Sequence, residues 1–193
     1  MPLLLALFAV ALAAALGFAA GRMTAPAVAP SPAPPPARGT SADDVLADAL
    51  AAIEGPAYAL VVRIDAVATW RRTHGMRALD RFVRRLGRAV QETLPRAVDV
   101  RTGDAEVTAV CGGDPAEAAA VLGRLKAQTF RLPDGSETLV TCSLGAAAGE
   151  SGVGLEDLRR RATSAVQSAQ AAGRWRAFLA DEAGNRPLAD SPV

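Results

Sequence analysis

Behind an opening apolar run, the chain alternates between the 3.6-residue period of an amphipathic helix and short continuous apolar stretches. Ser41 followed by Asp44 has the form of a capping box, and Val45, Leu46, Ala49 and Ile53 keep helical spacing until Gly55-Pro56. Tyr58 to Ile64, YALVVRI, reads as a buried strand. Over 76–93, Leu79, Phe82, Val83, Leu86 and Val90 form one apolar stripe, with Arg77, Arg81, Arg84, Arg85 and Arg88 opposite; this predicts a helix lying on a sheet. Val98 to Arg101 and Glu106 to Cys111 flank Gly103-Asp104, residues that tolerate positive φ, and predict an antiparallel pair. Asp114-Pro115-Ala116-Glu117 supplies an N-cap, a proline at the first helical position and an acidic third residue for a helix carrying Val121, Leu122 and Leu125. A second hairpin is expected from Phe130-Arg131-Leu132, a Pro133-Asp134-Gly135 turn and a strand over 138–144. The last helix runs from about Leu155 to Ala172 on Leu158, Ala162, Ala165, Val166 and Ala169, with Gly173 at its stop. Residues 181–193 read as a polar tail.

This order predicts an α/β (α+β) domain over 41–180, with a mixed central β-sheet flanked by helices. Two segments precede it. Leu3 to Ala20 is uncharged and as a helix measures about 27 Å, near the hydrocarbon thickness of a bilayer, so residues 1–22 are expected to form one transmembrane anchor. Arg22 and Arg38 follow the run, which favours a retained single-pass anchor in the inner membrane with the body cytoplasmic; Ala19-Ala20-Gly21 would also suit a signal peptidase. Residues 23–40 form a linker in which six prolines between Pro26 and Pro36 favour extended polyproline II.

Composition narrows the chemistry. A formal charge of +1 and 4% aromatic residues argue against a nucleic-acid platform. One histidine, His74, and two cysteines, Cys111 and Cys142, leave no zinc-ligand pattern, no disulfide scaffold and no histidine triad. Both cysteines fall on strands, where packing is the default expectation. Between positions 71 and 88, seven arginines stand against Asp80, a face suited to anionic lipid or an acidic partner unless it is simply solvated.

Two local words carry a resemblance. Ala162-Thr163-Ser164-Ala165-Val166-Gln167-Ser168-Ala169-Gln170-Ala171-Ala172-Gly173-Arg174 is similar to A-D-x-A-L-Y-x-A-K-x-x-G-R, and Ser143-Leu144-Gly145-Ala146-Ala147 to S-I-G-V-A, both of the GGDEF domain of diguanylate cyclases. Ile64-Asp65 after an apolar strand and Gly75 before the long helix agree in order and spacing. The resemblance implies a nucleotidyl-cyclase-like fold with a ferredoxin-like core, in a family that joins two GTP molecules into cyclic di-GMP. That reaction needs carboxylates holding Mg²⁺.

Set on Gly103-Asp104-Ala105-Glu106-Val107, the family signature keeps only its first glycine and its glutamate. The first-strand aspartate that would hold metal matches Arg63, a fixed cation in place of an anion. Asp65, Asp80 and Arg174 retain the family's residues and read as a vestigial nucleotide site; Arg71, Ala68 and Gln170 replace its base-reading asparagine and phosphate lysines. Leu94 and Ala97 occupy the positions of the product-inhibition R-x-x-D. The resemblance thus implies a degenerate, catalytically inactive module with no cofactor, acting through a protein partner in signalling, with weak GTP or cyclic di-GMP binding at most. The alternatives are a weakly active cyclase using Mg²⁺ with Asp65, Asp104 and Glu106, and a basic membrane-surface scaffold.

Overall fold

The computed structural model describes residues 41–101, 103, 105–132, 134–149 and 152–188, all within the compact unit Thr40–Val193. The expected membrane segment, the proline-rich linker and Asp104 lie outside the described residues. Among the described residues, no helix is long and apolar enough to cross a membrane.

Helix α1 (Ala42–Ala51) starts as its capping box dictates: Ser41 N–H donates to Asp44 Oδ2 at 2.9 Å, and Asp44 N–H donates to Ser41 Oγ at 3.1 Å. The central strand β1 (Ala57–Ile64) is followed by α2 (Val67–Thr93), β2 (Val98–Arg101) and β3 (Glu106–Gly112). A 3₁₀ turn (Pro115–Ala118) then leads into α3 (Ala119–Lys126), where the expected cap forms by donation from Ala116 N–H to Asp114 Oδ1 at 2.8 Å. Next come β4 (Phe130–Arg131), β5 (Glu137–Thr138), β6 (Cys142–Gly149), α4 (Leu155–Ala171), β7 (Ala177–Asp181) and β8 (Gly184–Pro187).

Six strands form one sheet in the order β2-β3-β1-β6-β7-β8. Only β6 and β7 run parallel, joined by α4 as crossover; the other pairings are antiparallel. The sheet is therefore mixed, as expected. Alternate residues of β1 feed two apolar clusters. Tyr58, Leu60, Val62 and Ile64 meet the α2 stripe of Leu79, Phe82, Val83 and Leu86, whereas Ala59 and Val61 meet Leu158, Ala162, Ala165 and Val166 of α4. Both faces of β1 are covered, which is why its sequence is continuously apolar from Ala57 to Val62.

Gly145 on β6 explains part of the small-residue word around it. A Cβ there would stand 2.2 Å from the carbonyl oxygen of Ala162 and 2.4 Å from the amide nitrogen of Val166, so only glycine admits the α4 backbone so close to the sheet.

Three expectations need correction. The long helix begins at Val67 rather than near 76, in two segments that meet at Gly75 (φ 77°, ψ 169°), a backbone setting open to glycine. His74 closes the first segment, its ring 4.6 Å from that of Trp70. The expected strand over 138–144 is divided: Thr138 pairs with Phe130 in a separate two-stranded ladder, and the central strand starts at Cys142. The stretch after Ala180 is no plain tail, because β8 returns along β7 and Asn185 Nδ2 donates to Ser164 Oγ and Ser168 Oγ at 3.0 and 2.8 Å. Exposed and polar, β8 gives no alternating signal that could betray a strand.

Candidate functional site

The carboxyl end of β1 gathers the candidate groups. Register fixes them: Arg63 lies opposite Glu106 of β3 on one side and opposite Ser143 of β6 on the other. Arg63 Nε donates to Glu106 Oε2 at 2.7 Å, and its Nη2 reaches the same oxygen. Their side chains are 26% and 18% exposed, so the pair sits between a surface bridge and a buried one.

Asp65 follows two residues later and is 8% exposed. Its N–H donates to the carbonyl of Thr141 at 2.8 Å; its Oδ1 accepts from Ser143 Oγ at 2.8 Å and from Gln170 Nε2 at 3.2 Å. Oδ2 is buried with no hydrogen-bond partner. Beside it, burial first and the Asp65 charge second push the Cys142 thiol well above its ordinary pKa. That thiol donates to the carbonyl of Val140 at 3.8 Å, which matches a packed rather than a reactive cysteine.

In the signature hairpin, Gly103 is exposed and Ala105 is buried, its carbonyl accepting from Ile64 N–H at 3.0 Å. Val107 is buried in the larger cluster. Both signature positions are thus apolar packing groups. Asp80 is half-buried on α2, and Arg174 is exposed beyond the end of α4. Leu94 and Ala97, at the positions of the inhibitory motif, are core residues, 7% and 5% exposed.

The arginine face divides. Arg77, Arg81, Arg84 and Arg88 are exposed, whereas Arg85, grouped with them from the sequence, is half-buried and donates Nε to Gln128 Oε1 at 2.8 Å. Spacing could not tell Arg85 from its neighbours, because its partner lies 43 residues away. Ser143 and Gln170 as partners of Asp65 were likewise illegible as such: only strand register and the α4 crossover bring them to it.

The chain matches no protein-family model and no curated protein by sequence. Solved structures do match. An EAL/GGDEF domain protein from M. capsulatus superposes with a TM-score of 0.60 at 24% identity, covering 70% of this chain and 94% of that one. The fold is that of GGDEF domains. The GGDEF domain of DgcB from Caulobacter crescentus, solved with c-di-GMP, matches at TM-score 0.62 and 19% identity over 71% of this chain and 86% of that one. The active GGEEF domain of a diguanylate cyclase from Vibrio cholerae gives 0.61 and 18% over 72% and 95%.

A GGDEF fold implies a divalent cation beside the first strand, and the donors among the described residues, which do not include Asp104, do not fit one. Among the described residues no three His, Cys, Asp or Glu side chains converge on one point. Glu106 faces a guanidinium, and the buried carboxylate of Asp65 accepts from Ser143 and Gln170 through Oδ1, leaving only Oδ2 without a partner.

Proposed function

We propose that this chain is a degenerate GGDEF domain held at the inner membrane by its amino-terminal apolar run, cytoplasmic in orientation. It makes no cyclic di-GMP and serves as an interaction or regulatory module in signalling. The Arg63–Glu106 pair carries this reading, since it fixes a guanidinium where the resemblance expects a metal-holding aspartate and ties it to the signature carboxylate that survives. The full-length protein, solubilised in detergent and incubated with GTP and Mg²⁺ or Mn²⁺, is expected to yield cyclic di-GMP no faster than a protein-free blank by chromatography. Sustained product formation would reject the proposal. Calorimetric titration should give at most weak heats with GTP or cyclic di-GMP.

The unpartnered Asp65 Oδ2 supports a second reading, a residual cyclase that recruits a cation through Asp65. The two readings part in the same assay: turnover with Mn²⁺ that disappears in Asp65→Asn would favour the second.

A further inference from the structure

We propose that the exposed arginine stripe of α2 is a docking surface for an anionic lipid bilayer. Arg77, Arg81, Arg84 and Arg88 lie within an arc of about 60° at 100° per residue and extend over roughly 16 Å of helix. All four are exposed and form no ion pair among the described residues. Several other arginines face acceptors, as Arg63 does Glu106, Arg124 does Glu92 and Arg186 does Asp181. A row of unpaired guanidiniums without an apolar groove complements a field of phosphates, which each planar fork engages with parallel hydrogen bonds.

The chain itself indicates which anionic surface lies near. The uncharged run Leu3 to Ala20 precedes a segment from Arg22 to Ser41 whose greatest possible reach, at roughly 3.5 Å per residue, is about 70 Å. The inference therefore rests on the membrane part of the proposed function. Within that reach, attraction is felt only when the helix comes within about a Debye length, near 10 Å, of the headgroups, so it acts as a close contact rather than a distant steer. Each near-surface arginine is worth about fivefold in partitioning.

Labelling is selective, because Cys111 and Cys142 are buried and Met76, beside the stripe, is exposed. The full-length chain carrying a donor fluorophore on Met76→Cys is reconstituted into phosphatidylcholine vesicles, and into vesicles that also contain phosphatidylglycerol, each with an acceptor on the headgroups. Energy transfer should rise with phosphatidylglycerol. It should fall to the neutral-lipid level in high salt, and surface association should drop at least tenfold in the Arg77→Gln/Arg81→Gln/Arg84→Gln/Arg88→Gln variant, with circular dichroism confirming its fold. If the fourfold variant does not fold, Arg81→Gln/Arg88→Gln takes its place with a smaller drop expected. Equal transfer on both lipids, or an undiminished rise in the folded variant, overturns the proposal; so does a response to soluble polyglutamate but not to phosphatidylglycerol. Flotation with phosphatidylcholine alone reads the anchor separately: a chain that stays unbound there but floats with phosphatidylglycerol retains the stripe and refutes the anchor.

Discussion

At the scale of single residues, the decisive contact joins Arg63 to Glu106 across β1 and β3. Replacing Arg63 by methionine leaves a part-buried carboxylate without its counter-charge, at a cost of about 1–2 kcal/mol, between the surface and buried limits. Urea unfolding of Arg63→Met, Glu106→Gln and the double variant checks this: the double change should cost less than the sum, and strict additivity would deny the coupling. Asp65 behaves differently. Its Oδ1 is held by Ser143 and Gln170, so Ser143→Ala removes a hydrogen bond to a charged group and should destabilise by about 1.5–3 kcal/mol, read from the same denaturation midpoint. The replacement of an anion by arginine at position 63 was plain in the sequence. Its consequence was not, because the spacing gives only the residue type at position 63, and the strand register alone brings its guanidinium to Glu106.

At the scale of elements, legibility followed how much each segment speaks for itself. Capping boxes and stripes act within a few residues, so α1, the buried stripe of α2, the Asp114 cap and α4 could be read from spacing. The division at Gly75 depends on one backbone angle, and β8 depends wholly on β7 beside it, so neither left a periodic trace. Gly145 links the two levels. Its φ needs no glycine; the requirement is contact with α4, and Gly145→Ala should destabilise by about 3 kcal/mol or more through forced separation of helix and sheet. A melting temperature within a degree or two of the parent would contradict that close approach.

For the whole molecule, stability should weaken in alkali for a definable reason. Burial holds the Cys142 thiol and the Tyr58 hydroxyl above their ordinary pKa values. Both groups therefore stay protonated in the folded chain at pH values where the unfolded chain begins to ionise, near 8.5 for cysteine and 10 for tyrosine. Their contribution is fully present below those values and is lost as pH rises above them, because the unfolded state binds fewer protons. Urea midpoints should decline from about pH 8.5 upward, and the decline between roughly pH 8.5 and 10 should be shallower in Cys142→Ala. An equal slope in that variant would assign the effect elsewhere.

The rung that joins Arg63 to Glu106 also sets what a single charge reversal at position 63 would cost. Restoring an aspartate at position 63 alone would set two carboxylates face to face on neighbouring strands, a repulsion that only a captured cation or a bound proton relieves. On the proposed degenerate reading, Arg63→Asp alone would therefore give a less stable chain, and recovering cation chemistry would require a second change that relieves this clash.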